Sequence, residues 1–542
     1  MSSTHREPAI PADVFQRRWA ILGLLCTSLM IVIIGNTSLN VALPRLSEEL
    51  SASTTDLQWM VDAYSLVFAG MLLTAGALGD RYGRKGALQF GLALFGAGAV
   101  FASVADSSGQ VIAARSVMGF AAAFVMPSTL SILTNVFPAH ERARAIAIWA
   151  GVSGGGAALG PIASGFLLEH FWWGSVFLVN IPIVVVALVL GRTMLPKSSD
   201  PDHAPLDPVG ALLSIAGLSA FVYAIIEGPI HGWLSGESLA WFGGSAVILV
   251  LFALWERSRR QPMLDLGFFQ DRRFSVSSGG ITLVFFAMFG TLFLTSQYLQ
   301  LVLGYSPLES GWRLLPMSVV MVVVAPQTPK LVVRFGANRV AGSGLVAIAA
   351  GLALFSFLSP DTSYLQLILT LSVLAAGMSL TMSPLTAELM SSVPPAKAGV
   401  GSAMNDTTRE LGGALGVAVL GSLVTSQYAS GLSSALSGAS EPVRQVARSG
   451  LAGAMQLGAD PSAFGLDAEQ GSAIWERAAQ AFVDSIGSAG LVAAVLVLGA
   501  AVAVFRLLPS DRHRPGVAVP VEGVEDFADE ASTSVEVEVS GA

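Results

Sequence analysis

Stretches of about twenty mostly apolar residues recur along nearly the whole chain, and each is long enough for a helix to cross a bilayer. Fourteen are found, at 19–42, 57–79, 86–105, 109–133, 143–167, 173–193, 208–227, 238–256, 274–303, 309–333, 339–358, 363–390, 400–425 and 479–507. A backbone in hydrocarbon must satisfy its own hydrogen bonds, so these stretches predict helices. The expected class is an all-α polytopic membrane protein with fourteen transmembrane helices. Only 12% of the residues are charged, against about 25% in soluble domains. The 29 Lys and Arg face 37 Asp and Glu and form no basic stripe, so nucleic acid is not an expected partner. One cysteine, Cys26, rules out an intramolecular disulfide and any cysteine-built metal site. The six histidines lack metal-ligand spacing. No Gly-Lys-Ser/Thr phosphate loop occurs, so ATP is not the expected driving force. No cofactor is expected. No His, Cys or Ser-His-Asp constellation suggests an enzyme.

Lys and Arg in the loops set the orientation. With both ends inside, 22 of the 29 fall in cytoplasmic loops and five outside, while Arg115 and Arg409 lie within spans. The first span is too long for the core of a cleaved signal peptide, and no cleavage pattern follows it, so it is expected to be retained. A cell membrane location with cytoplasmic termini follows. The expected divisions are a cytoplasmic N-terminus at 1–18, a six-helix bundle at 19–193 and a linker with two extra helices at 194–273. A second six-helix bundle at 274–507 contains an outer loop, 426–478, expected to be solvated. The tail, 508–542, reads as disordered and acidic: seven acids from Glu522 to Glu538 carry −7 of the net −8.

The two bundles read as copies. Arg81-Tyr82-Gly83 lines up with Arg334-Phe335-Gly336 at an offset of 253. Pro138-Ala139 and Pro395-Ala396 agree at 257, and the glycine runs ending at Gly160 and Gly416 agree at 256. Such parallel repeats point to a site between the halves, worked by alternating access.

The loop Gly76-x-Leu78-x-Asp80-Arg81-x-Gly83-Arg84-Lys85 resembles the signature loop of the major facilitator superfamily. Asn40 to Pro44 (AsnValAlaLeuPro), with Trp59 and Tyr64, is similar to its fourteen-span drug:proton antiporter branch. So are Arg115 with Gly119, and Gly156-x-x-x-Gly160-Pro161-x-x-Ser164-Gly165, where Ser164 replaces a usual glycine. The resemblance spans residues 15–507. It implies that the Gly76–Lys85 loop latches the halves on the inner side. Asp80 would then lie near the starts of spans three and thirteen, where helix N-termini favour an anion. Positive-inside bias alone would also give a basic turn here. Gly156, Gly160 and Pro161 suggest close packing and a gating bend; ordinary helix packing is the plainer reading.

Charges within spans are costly, and each demands a role and a partner. Asp62 and Arg115 sit at similar depth and are expected to meet. Many relatives carry an acid where this chain has Gly35, with Asn36 beside it; Asp62 is expected to do that acid's work in proton coupling. Asp406, Arg409 and Glu410 are neighbours on one helix and read as a local neutral cluster or a second protonation site. Glu227, Glu388 and Asp484 fall at span ends. Asn40, Met126, Phe285, Phe286, Phe289, Gln297 and Tyr298 are candidates to line an adaptable cavity, though such residues also serve plain packing. The expected function is proton-driven export of amphipathic compounds, cations foremost, conferring multidrug and antibiotic resistance. Its partners would be those small molecules, protons and the lipid bilayer, and a monomer suffices. The alternative is a dedicated proton-coupled exporter of one endogenous metabolite or lipid.

Overall fold

The computed structural model describes residues 11–199, 207–259, 262, 266–393 and 398–509. The acidic tail beyond 509 and the Pro395-Ala396 pair lie outside them. Among the described residues the chain is helical throughout, without strands. The first half comprises α1 (Ala12–Glu49), α2 (Thr54–Tyr82), α3 (Arg84–Ser103), α4 (Ser108–Val136), α5 (Ala139–His170), the short α6 (Ser175–Leu178) and α7 (Asn180–Met194). Then come α8 (Pro208–His231) and α9 (Gly236–Ser258). The second half comprises α10 (Arg272–Gln297), α11 (Pro307–Val324), α12 (Thr328–Phe335), α13 (Ala337–Leu354), α14 (Tyr364–Ser391), α15 (Ala398–Leu432), α16 (Glu441–Ser449), α17 (Leu451–Ala459) and α18 (Ala468–Leu507). A π-helical turn, Tyr298–Val302, extends α10.

Every apolar stretch falls on a helix. Among the described residues twelve helices are long and apolar enough to cross a membrane, thirteen when α2 is counted across its 51° bend. The remaining stretch lies in α5. The arrangement is thus compatible with fourteen spans. Helix starts are written in the sequence. Ser53 accepts from the Asp56 amide at the head of α2, and Ser306 accepts from Glu309 at the head of α11. Each cap satisfies amides that a helix leaves unpaired, and contributes about 1 kcal/mol.

The repeat is visible in the backbone. Gly83 and Gly336, 253 residues apart, both take positive φ, 117° and 88°, where one helix ends and the next begins. Only glycine enters that region freely. Gly160 lets α5 close on α1, so that a Cβ there would lie 3.2 Å from Ser38 N; Gly416 does the same for α15 on α10, 2.9 Å from Phe286 Cα. Membrane helices gain little from the hydrophobic effect, so such close approaches carry the packing.

The end holding Gly83 and Gly336 is called here the loop end, and the opposite one the far end. The halves meet at the far end: α2 packs on α15, α5 on α11, and Gln300 donates to Val41 O at 2.9 Å. Helix α8 covers the α2–α15 seam. Leu66 of α2, Val222, Ile225 and Ile226 of α8, and Ala414 and Ala418 of α15 form one apolar cluster. Helix α9 leans on α8 through Ser245 Oγ to Gly217 O, 2.9 Å. It leaves Leu239, Val247, Val250, Leu251 and Leu254 exposed, an apolar face suited to lipid.

The segment 426–478 departs from the expectation of a solvated loop. Helix α15 runs on to Leu432, and α16 and α17 bury Val443, Ala447, Leu451 and Leu457. The Tyr428 hydroxyl ties them down by donating to Ala447 O at 3.1 Å. The many Ala and Gly of this segment, which suggested a loop, allow short helices to pack closely.

Candidate functional site

Gln58, Asp62 and Ser65 are four and three residues apart, so they line one face of α2. That face meets α15. Gln58 is fully buried, and its Nε2 donates to Val417 O at 3.2 Å, Ala418 O at 3.0 Å and Ser422 Oγ at 3.4 Å. Gly421 leaves the room: a Cβ there would lie 2.8 Å from Gln58 Cδ. One turn deeper, Asp62 is wholly buried, and among the described residues neither carboxyl oxygen has a hydrogen-bond partner. The next turn brings the Ser65 hydroxyl to the Glu410 carboxyl group of α15.

Arg115 does not meet Asp62. It is fully buried and donates to Met60 O at 3.0 Å, Gly35 O at 3.0 Å and Asn36 Oδ1 at 3.2 Å, with its guanidinium 4.3 Å from the centre of the Tyr64 ring. One of these neutral acceptors is the carbonyl of Gly35, the position at which the family resemblance led an acid to be expected. The reason for Gly35 is steric: a Cβ there would lie 2.8 Å from Phe95 Cζ. Depth along the helices matched Asp62 to Arg115, but rotation about the helix axes sends their side chains apart.

On α15, Arg409 lies 3.8 Å from Asp406, and its guanidinium sits 5.4 Å from the Phe285 ring centre. Phe285 stacks on Phe289 at 6.2 Å, and Phe289 packs against Gly413. Glu410 follows Asp406 by one helical turn on the same helix. The structure thus gathers Asp406, Arg409, Glu410, Phe285 and Phe289 on or beside α15, with Asp62 on the facing side of α2 and Arg115 held by α1 and α2. Asn40 is buried with Oδ1 unpartnered, and Met126 is half-buried on α4. Gln297 and Tyr298 are placed differently from the cavity expectation. Gln297 bonds back to Phe293 O at 3.3 Å, and the Tyr298 hydroxyl donates to Ser359 O at 2.6 Å. Both polar groups are engaged within their own half. The backbone of Phe286 is covered by Gly416.

The Gly76–Lys85 loop is bound to the first half. Arg84 Nε donates to Asp80 at 2.6 Å, and Ser131 Oγ donates to the same oxygen at 3.1 Å. Lys85 Nζ donates to Arg192 O at 2.7 Å and Leu195 O at 2.9 Å, at the end of α7 where carbonyls lack partners. Arg81 stacks beside Tyr82 at 5.4 Å, and Gly76 lies against Pro127. Among the described residues no hydrogen bond or ion pair joins this loop to the second half, and Asp80 serves α3 and α4 rather than α15.

Helix α5 passes through Gly156, Gly160 and Pro161 without interruption. Its far end meets α11 backbone to backbone. A Cβ at Gly311 would lie 2.7 Å from Pro161 O, and one at Gly165 would lie 2.7 Å from Leu308 Cα. Ser164 is fully buried.

The sequence reading missed Gln58 and Ser65, and it named Asn36 and Tyr64 without giving them Arg115 as a partner. Their signal was present: each is an uncharged polar group inside an apolar stretch, where hydrogen bonds between helices are its natural use.

The Major Facilitator Superfamily profile matches residues 25–417. The chain is 37% identical over 489 residues to the multidrug efflux pump LfrA of Mycolicibacterium smegmatis, covering 90% of this chain and 96% of that protein. It is 31% identical to the tetracenomycin C resistance and export protein of Streptomyces glaucescens, covering 96% and 98%. It is 34% identical to the methyl viologen resistance protein SmvA of Salmonella typhimurium, covering 89% and 97%. Among solved structures, a bacterial homologue of the lysosomal transporter Spinster, inward-facing and occupied, superposes with a TM-score of 0.64 at 17% identity, covering 92% and 99%. Profile, relatives and helix arrangement agree, and the chain is a multi-pass membrane protein that belongs to the major facilitator superfamily.

Proposed function

We propose that this chain is a proton-driven exporter of amphipathic compounds, cations foremost, working by alternating access. One observation carries the reading: carboxyl groups from both repeats lie close together, Asp62 wholly buried on the α2 face that meets α15, Glu410 of α15 beside Ser65 one turn along, and Asp406 one turn from Glu410 on the same helix. The similarity to LfrA over 96% of its length supports export of drugs. The far end is closed, so the present arrangement is read as open toward the loop end. Arg-rich loops make that end cytoplasmic. The Gly76–Lys85 loop, held within its own half here, would latch onto the second half when the loop end closes. The working parts are then the bundles at 19–193 and 274–507, with 194–273 as a linker that adds two helices.

In the cycle, cargo enters from the cytoplasm or inner leaflet and displaces a proton from Asp62 or a carboxyl partner on α15. The bundles rock, and the far end opens. A charge crossing 100 mV releases about 2.3 kcal/mol, so one proton per neutral cargo molecule sustains roughly a 50-fold gradient without ATP. Purified protein in vesicles with an imposed pH gradient tests this. Accumulation of a fluorescent cation that collapses with the gradient is expected, and no accumulation under any gradient refutes it. A second reading, a dedicated exporter of one compound, is favoured by the relative named for tetracenomycin C. Growth protection against many unrelated dyes separates the two; protection against one compound alone supports the second.

A further inference from the structure

We propose that Gln58 is a positioning residue of the transport cycle: its carboxamide, seated in the socket left by Gly421, latches the far end of α2 to α15 and sets how readily that end opens. The proposal rests on the alternating-access reading above.

Three features support it. The first is geometry. The Gln58 amide reaches two consecutive carbonyls of α15 and the Ser422 hydroxyl. A carbonyl has two lone pairs, so it can accept this bond and keep its helical one. The second is the repeat. Adding 253 to Gln58 gives Gly311, and subtracting 256 from Gly421 gives Gly165. The same offset turns Val417 and Ala418 into Pro161 and Ile162, the residues that Gly311 faces. At the equivalent place in the other seam the backbones therefore touch directly. Here a glutamine side chain spans the gap, and its amide can change rotamer and exchange partners as the helices separate. The third is an unmet bond. Gln58 Oε1 is buried without a partner, so the closed seam leaves one acceptor unsatisfied. Water entering from the far end satisfies that acceptor and competes for the amide. Because Asp62 lies one turn deeper, release of the latch is also the step that brings water toward Asp62 from that side.

The test uses two single-cysteine reporters in a Cys26→Ser background. Ala414→Cys sits in the apolar wall of the seam below the latch, and Met126→Cys sits on the half of α4 nearer the loop end. Each is labelled with a membrane-impermeant maleimide in right-side-out and inverted vesicles, with and without Gln58→Met or Gly421→Ala. Both variants are expected to raise far-side labelling of position 414 about tenfold, the loss of one to two buried hydrogen bonds, and to lower loop-side labelling of position 126. A loosened or misfolded protein would raise both, which overturns the proposal, as do rates unchanged at both sites. In a Gln58→Ala background, Gly421→Ala is expected to add nothing, since its effect runs through the missing side chain; an additive effect overturns the socket. A parent whose reporters ignore pH gradient and cargo refutes alternating access itself. A responsive parent with unresponsive variants refutes the latch alone.

Discussion

The two seams between the halves are copies of one interface, and they are built differently. At α5–α11, Gly165 and Gly311 bring the backbones together, and Leu315 occupies the place that corresponds to Asp62. At α2–α15, Gln58 stands between the backbones, Asp62 and Ser65 follow on the same face, and α8 covers the outside. Glycine-on-backbone contact is short and unyielding, which suits a pivot. A side-chain contact with a buried acid beside it suits a part that opens and binds a proton. The extra helix is explained by the same difference. Asp62 would be costly against lipid, and the cluster of Leu66, Val222, Ile225, Ile226, Ala414 and Ala418 gives the seam an apolar wall.

The contrast can be broken at its strongest point first. Gly311→Leu is expected to abolish transport, because its Cβ would oppose Pro161 O at 2.7 Å and no flexible atom can yield. Gly421→Ala meets only a glutamine side chain and should leave a folded, active protein; vesicle uptake and gel filtration of the two variants decide this. Next comes Arg115→Leu, which leaves the Met60 and Gly35 carbonyls and Asn36 Oδ1 without their donor. Each orphaned buried acceptor costs about 1–3 kcal/mol, so a large fall in thermal midpoint is expected. Arg115→Lys should recover part of it, having no planar fork to reach all three. Asp62→Asn keeps the shape of the seam and is expected to cut gradient-driven uptake about tenfold or more and flatten its pH dependence. The mirror variant, Leu315→Asn, should leave the pH profile intact. An unchanged profile in Asp62→Asn would remove this carboxyl group from the coupling and erase the proposed difference between the seams. Ser65→Ala removes one hydroxyl from Glu410 and should shift uptake by only two- to threefold, about 0.5 kcal/mol.

Much of this architecture is legible in the linear chain. The apolar stretches, the caps at Ser53 and Ser306 and the doubled glycine punctuation at Gly83 and Gly336 are local signals, and the helices obey them. Of the motif residues, Asp80, Arg84 and Lys85 lie at a helix junction and Gly160 lies against α1, while the expected place of Asp80 beside span thirteen gives way to bonds within the first half. The partners of buried groups were not legible. Asp62 and Arg115 share a depth, which a count of residues gives, yet they point to different neighbours, which a count cannot give. The folded segment at 426–478 was hidden for a related reason, since small residues describe a flexible loop and a closely packed hairpin equally well.

The sequence by itself therefore determined the helices, their duplication and the scarcity of charge that confines them to a membrane, because each follows from runs of neighbouring residues and the bilayer's thickness. Only the tertiary structure decided that one copy of the interface meets through a glutamine and an acid and the other through glycine backbones, that Arg115 rests on neutral acceptors, and that Gln58 fits Gly421. Those outcomes depend on the rotation of each helix and the distance between helix axes, quantities set by the packing of the whole bundle.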